Sequence, residues 1–149
     1  MAKSAELLAQ LKTRYTEKLD MSVDRMQLLM DKLDNPQTKL PRVIHVSGSN
    51  GKESVLAFIQ SILYASGIRV HKYTSNHLAS FNERIGLSEM TGTKPISEKK
   101  LVEVLTRVIK ANGDAPLTFF EATTAAALLA FSETPADILL VGAGQGGGV

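Results

Sequence analysis

The stretch that most constrains the fold is a change of period across one glycine-rich turn. Val43-Ile44-His45-Val46 is a short β-prone run, followed at once by Gly48-Ser49-Asn50-Gly51-Lys52. From Glu53 the apolar residues recur at helical spacing through Val55, Phe58, Ile59, Ile62 and Leu63, as far as Gly67, a natural residue just past a helix end. A glycine turn between a strand and a helix aims successive backbone N–H groups at a phosphate, and the helix N-terminus adds about half a positive charge. Gly48 and Gly51 permit the tight path, Lys52 can reach the terminal phosphates as a point charge, and the Ser54 hydroxyl can sit near Mg²⁺. The common P-loop has four residues between its glycines and its hydroxyl directly after the lysine. Here two residues separate Gly48 from Gly51, and Glu53 stands between Lys52 and Ser54. The bland alternative is a Gly-Lys turn entering a helix; the strand before and the helix after favour the phosphate reading.

The rest of the chain keeps alternating. Leu7, Leu8, Leu11, Tyr15 and Leu19 predict an amphipathic helix over 4–19, and Ser22 is placed to cap a second helix that ends at Asn35-Pro36. Ile68 to Thr74 reads as a strand. Residues 76–97 read as irregular, with Arg84-Ile85-Gly86-Leu87 a short strand and Thr91-Gly92 a turn. Ser97 caps a helix running to Asn112-Gly113, and Thr118-Phe119-Phe120-Glu121 has the spacing of a capping box opening an Ala-rich helix to about Phe131. Asp137 to Val141 is continuously apolar, as in a central parallel strand covered on both faces. The expected class is therefore α/β: one P-loop-type layered domain over 1–149, with a mostly parallel sheet and flanking helices. An exposed edge beside the C-terminal strand is also expected, with a tendency to aggregate.

Composition narrows the function. Aromatics are 5% with no Trp and the net charge is +2, so neither a stacking surface for single-stranded nucleic acid nor a general polyanion binder is expected. Residues 35–75 nevertheless carry Lys39, Arg42, Lys52, Arg69 and Lys72 against Glu53 alone, which suits a compact anion. With no Cys there are no disulfides, thiolate zinc sites or Cys nucleophile. No apolar run approaches the 18 residues of a membrane span, and no export signature is present; a cytoplasmic monomer without nucleic-acid or membrane partners is expected.

Beyond these readings, His45-Val46-Ser47-Gly48-Ser49-Asn50-Gly51-Lys52 resembles the nucleotide loop of the Mur ligase superfamily. Tyr73-Thr74-Ser75-Asn76-His77-Leu78 and Ser80-Phe81-Asn82-Glu83-Arg84-Ile85 are similar to the signature of one branch, folylpolyglutamate synthase/dihydrofolate synthase. Phe120-Glu121, then Ala136-Asp137-Ile138-Leu139-Leu140 running into Gly144-Gln145-Gly146-Gly147, resembles its next block. The resemblance covers about residues 20–147, and Ser80 to Ile85 argues against a branch acting on cell-wall precursors. It implies an ATP-dependent ligase that joins L-glutamate to dihydropteroate or a folate through an acyl phosphate. It further implies that Gly48, Ser49, Asn50, Gly51, Lys52 and Ser54 cradle the ATP phosphates, that Ser75 is a Mg²⁺ ligand, and that His77, Phe81, Asn82 and Arg84 lie beside the pterin substrate. Taken singly, Ser75 is a strand end, His77 a loop histidine, Arg84 a partner for Glu83 or Glu89, Glu121 a cap, and Met21, Met26 and Met30 core filler.

Four departures from that family pattern stand out. Glu53 occupies a family glycine, and a carboxylate beside a phosphate is repelled. Asn76 replaces a proline, loosening the loop that aims Ser75 and His77. Gly142 falls where a metal-binding glutamate stands in the family. The chain also stops at Val149, so the resemblance implies an N-terminal part without the C-terminal domain. The alternative reading is a truncated, catalytically inactive remnant with at most weak nucleotide binding.

Overall fold

A computed structural model describes residues 3–14, 24–48, 51–75 and 79–142. In chain order the described elements are α1 (Lys3–Arg14), α2 (Asp24–Lys32), β1 (Arg42–Val46), α3 (Lys52–Ala65), β2 (Val70–Thr74), β3 (Ile85–Glu89), β4 (Gly92–Pro95), α4 (Glu98–Asn112), α5 (Phe119–Glu133) and β5 (Ile138–Gly142). Short 3-10 turns lie at Pro36–Lys39 and Phe81–Arg84. The chain divides into two compact units, Met1–Lys39 with Ser97–Ser132, and Leu40–Ile96 with Glu133–Val149.

The first unit is helical. Leu7 and Leu11 of α1, Leu29 and Met30 of α2, and Leu101, Val104, Leu105 and Val108 of α4 are buried, and α4 contacts both α1 and α2. The expected caps form. Ser97 Oγ accepts the Lys100 N–H at 3.1 Å. Thr118 and Glu121 exchange reciprocal bonds at 3.0 Å each, and Arg25 adds two more to the Glu121 carboxylate at 3.1 and 2.9 Å. The start of α1 is tied by Glu98, which accepts the Ser4 hydroxyl at 2.6 Å and the Ser4 backbone N–H at 2.8 Å. Those two bonds, the hydroxyl's first, hold the Glu98 carboxyl below the usual range. The helix expected over 4–19 is described only to Arg14; Met21 and Ser22 lie outside the described residues.

The second unit is a five-stranded sheet in the order β1-β5-β2-β3-β4. β5 is parallel to β1 on one side and to β2 on the other, while β2–β3 and β3–β4 are antiparallel. The continuous apolar run of β5 therefore does mark a central parallel strand. The exposed parallel edge expected beside it belongs instead to β1, because β5 is slotted between β1 and β2. The described part of the stretch expected to be irregular, residues 79–97, is also more regular than expected. Gly92-Thr93-Lys94-Pro95 is a strand without apolar alternation, and Arg84 ends a 3-10 turn rather than starting β3.

α3 contacts β1, β2 and β5. Leu56, Val70 and Leu140 form the fully buried centre, with Ile44, Val46, Ile59, Leu63, Ile68 and Ile138 packed around it. The helix ends as Gly67 permits. At φ +79° its N–H bonds Tyr64 O at 3.0 Å, and the Ile68 N–H returns to Leu63 O at 2.9 Å, a Schellman closure.

Two further ties fix β2. His71 is fully buried, with Nδ1 2.9 Å from the Ser88 N–H and Nε2 2.8 Å from the Thr134 carbonyl. A backbone N–H only donates, so Nδ1 accepts and the proton sits on Nε2. His71→Leu removes the partner of the Ser88 N–H and of the Thr134 carbonyl, both on half-buried residues. It is expected to cost about 2–4 kcal/mol by urea unfolding, whereas a mere shape role would leave the change below about 1.5 kcal/mol. At the start of β2, Asp137 Oδ2 accepts the Arg69 backbone N–H at 2.9 Å, and the Arg69 guanidinium bonds the same carboxylate at 3.2 and 3.3 Å. The Arg69 side chain, then its backbone, holds the Asp137 carboxyl below its ordinary range. A depressed folded-state value contributes stability that is present above the unfolded value of about 4 and lost as pH falls through the folded one. Urea midpoints of the wild type and Asp137→Asn should accordingly differ at neutral pH and converge in acid; a gap that persists below about pH 2 would contradict this.

Candidate phosphate-binding site

The three parallel strands end in register. Val46 of β1 and Thr74 of β2 both pair with Gly142 of β5, so the carboxyl ends of β1, β5 and β2 lie side by side, with β1 and β2 about 10 Å apart. In open α/β sheets this edge is where ligands are received. Gly48 and Gly51 follow β1, α3 starts at Lys52, and Ser75 directly follows β2.

The local conformation suits an anion. Gly48 has φ +140° and Gly51 φ +74°, values that side-chain-bearing residues rarely adopt, and a Cβ at either would meet open space. The backbone there is open to close approach. Gly51 is the N-cap of α3, and a glycine has no side chain with which to cap the helix. Its first-turn N–H groups and the positive end of the dipole thus face the turn. Lys52 and Leu56, one helical turn apart, are the buried residues of α3; Lys52 is only 9% exposed. An ammonium placed there gains from an anionic partner. Glu53 and Ser54, on the same turn, are exposed.

The structure thus brings Gly48, Gly51, Lys52 and Ser54 together at one turn, with Ser75 at the end of the strand two places along. Ser49, Asn50, Asn76 and His77 lie outside the described residues. Phe81, Asn82 and Arg84 form the 3-10 turn before β3, where each has a role within the fold. Phe81 is buried, Asn82 Nδ2 donates to the Ile96 carbonyl at 2.8 Å, and the Arg84 guanidinium lies 4.8 Å from the Phe81 ring centre. Glu83 caps this turn, accepting the Ala79 and Ser80 N–H groups at 2.9 and 3.1 Å.

Periodicity did not single out Leu56, yet it decides what position 142 can hold. A Cβ on Gly142 would fall 2.6 Å from Leu56 Cδ1 and 3.6 Å from Thr74 Cγ2. The only sequence signal was the four-residue spacing from Lys52 to Leu56, which puts both on one helix face. Among the described residues no group of three or more His, Cys, Asp or Glu is placed to hold a metal ion. Among the described residues, the hydroxyls at the glycine turn and directly after β2 are those of Ser47, Ser54 and Ser75, with Glu53 exposed beside Ser54.

A glycine turn passing from a parallel strand into a helix, at the carboxyl edge of the sheet, is the arrangement by which α/β domains seat phosphate groups. By sequence and fold the chain is similar to part of the dihydrofolate synthase/folylpolyglutamate synthases. It is 33% identical over 143 residues to the enzyme of that name from Mycobacterium tuberculosis, matching 87% of this chain and 28% of the relative. It is 37% identical over 130 residues to that of Bacillus subtilis, matching 83% of this chain and 29% of the relative. The structure of a bifunctional folylpolyglutamate synthase/dihydrofolate synthase from Yersinia pestis, complexed with AMPPNP and Mn, superposes with a TM-score of 0.81 at 27% identity, over 93% of this chain and 33% of that one. The chain thus spans about a third of the length of the relatives it matches. No family model matches it. Among the described residues no helix is long and apolar enough to cross a membrane.

The Gly142 contact yields a direct test. Gly142→Glu is expected to destabilise by about 1–3 kcal/mol because Leu56 must move aside. Combined with Leu56→Ala, the loss should fall short of the sum of the two single losses by about 1 kcal/mol or more. Strict additivity in urea unfolding would show that Leu56 does not fill the place of a side chain at 142.

Proposed function

We propose that this chain is the phosphate-holding part of an ATP-dependent ligase of folate metabolism, within the Mur ligase superfamily and acting in the cytoplasm. In this reading the whole reaction joins L-glutamate to dihydropteroate or a folate through an acyl phosphate. The observation that carries it is the meeting of two glycines with positive φ, the glycine N-cap of α3 and the nearly buried Lys52 at one end of the parallel strands. The AMPPNP and Mn of the Yersinia pestis structure support ATP and a divalent cation as cofactors.

In this reading Gly48, Ser49, Asn50, Gly51, Lys52 and Ser54 hold the ATP phosphates. Ser54 and Ser75 supply hydroxyl oxygens, hard donors that fit Mg²⁺ when phosphate oxygens and water complete its shell. The cation, when bound, neutralises charge on the transferring phosphoryl group. His77, Phe81, Asn82 and Arg84 flank the pterin substrate by family resemblance. For Phe81, Asn82 and Arg84 the packing described above supports a role in shaping that loop.

A second reading, a remnant that binds nucleotide weakly and does not ligate, is favoured by one specific observation. Leu56 takes the space in which a side chain at position 142 would start, leaving that strand end without a carboxylate. Isolated, the 149 residues are expected to bind ATP without releasing ADP in the presence of glutamate and a pteroate or folate; such release would overturn the remnant reading.

Calorimetry with ATP at low salt tests the site. Lys52→Ala should weaken binding tenfold or more, and an unchanged Kd would remove the phosphate assignment. Glu53→Gly should strengthen it. At about 5 Å the carboxylate–phosphate repulsion is about 0.8 kcal/mol at the dielectric of water and about 3 kcal/mol at an effective value of 20. Exposure of Glu53 places it near the lower figure, a gain of roughly fourfold that shrinks with added salt.

A further inference from the structure

Mg²⁺ on a nucleotide is usually held by one or two carboxylates in addition to the phosphate oxygens. The sheet unit has five acidic side chains, Glu53, Glu83, Glu89, Glu133 and Asp137. Three of them lie at the end of the sheet away from the glycine turn. Asp137 directly precedes β5 and is held by Arg69, and Glu133 lies further back, at the end of α5. β3 runs antiparallel to β2, so Glu89, at the end of β3, is level with the start of β2 and not with Ser75. Glu83 lies between β2 and β3, at the nearer end, but is committed to the Ala79 and Ser80 N–H groups of its own turn. Position 142, the last of β5, is a glycine whose missing side chain is replaced by Leu56.

Glu53 is left. It is exposed in the first turn of α3, directly after Lys52, and forms no hydrogen bond or ion pair among the described residues. In the common P-loop the side chain directly after the lysine is the hydroxyl that meets Mg²⁺. In this chain that place carries a carboxylate, and the hydroxyl of Ser54 comes one residue later. A carboxylate there acts with opposite signs on the two forms of a nucleotide. It repels bare phosphates, whereas a divalent cation between the two anions turns the repulsion into attraction.

We propose that Glu53 is the carboxylate ligand of the divalent cation that accompanies ATP, so that this chain draws that ligand from the first turn of α3 and not from the end of β5. The inference rests on the reading of the glycine turn as an ATP site. It makes Glu53 the residue that sets a preference for the metal-bound over the metal-free nucleotide. The Ser54 and Ser75 hydroxyls are neutral donors and add no charge to that preference. Nothing in the fold opposes the assignment, since an acidic residue in the first turn of a helix is favoured by the dipole whether or not a cation is bound.

The test is calorimetry of the whole chain with ATP, in EDTA and in excess Mg²⁺, for the wild type, Glu53→Gln and Glu53→Asp. Position 53 is exposed, so both variants should keep the wild-type circular dichroism spectrum. In EDTA, Glu53→Gln should bind ATP about two- to fourfold more tightly than the wild type. In Mg²⁺ it should bind about fivefold or more weakly, so that the gain conferred by the cation falls by about tenfold or more. Glu53→Asp, which keeps the charge, should keep most of that gain. An equal gain in the wild type and Glu53→Gln, with binding that Lys52→Ala still weakens, would overturn the assignment of Glu53 and leave the ATP reading standing. Weaker binding of Glu53→Gln in EDTA and Mg²⁺ alike would also overturn it, by showing that Glu53 supports the turn and not the cation. No ATP binding by the wild type in either buffer would remove the ATP reading itself, and this inference with it.

Discussion

The structure of the sheet unit depends on one insertion: β5, nearly a hundred residues after β1 in the chain, pairs with β1 and β2 at once. Those two strands do not pair with each other. Their alignment exists only through the shared register with β5, in which Val46 and Thr74 both meet Gly142. The same pairing closes the Leu56, Val70 and Leu140 centre, since Leu140 comes from the inserted strand. Every feature of the candidate site follows from it. The glycine turn, the start of α3 and Ser75 share one edge because three strands stop at one level.

That level also explains why position 142 is so constrained. A residue at the end of the middle strand is flanked by strand ends on both sides and roofed by the first turns of α3. Leu56 lies one turn after Lys52, so the helix face that turns the lysine toward the strand ends also brings the leucine over Gly142. Placement of the cation at position 52 and absence of a side chain at 142 are thus two results of one helix orientation. Exchange of Gly142 for a larger residue is a question about Leu56 as much as about chemistry.

What could be read from the sequence was local. Ser97, the Thr118–Glu121 box and Gly67 were recognisable because a cap or a Schellman closure involves residues within one turn, and each forms as its spacing requires. The unbroken apolar run of β5 marked it as central, since only a strand covered on both faces tolerates such a run. Its place between β1 and β2 was not readable, because register across so many residues leaves no local trace. β4 went unseen because Gly-Thr-Lys-Pro has no period-two pattern; its pairing with β3 and the Thr93 hydroxyl bond to the Val70 carbonyl at 2.7 Å hold it. In α3 the apolar positions were found, but periodicity cannot tell a covered stripe from an uncovered one. At the site, the glycines and Lys52 carried their own chemistry in the motif, whereas the packing of Phe81, Asn82 and Arg84 within their turn depends on partners that spacing does not reveal.

The late position of β5 has a consequence for how the chain is made. A ribosome that has released everything through α5 has still not delivered the strand that joins β1 to β2. Until residues 138–142 emerge, both wait with unmet hydrogen-bonding groups. The closing step spans long sequence separations, which favours slow folding, and until it occurs the sheet unit is only half-assembled. Exposure to misassembly is therefore greatest in the interval between the emergence of β1 and that of residues 138–142.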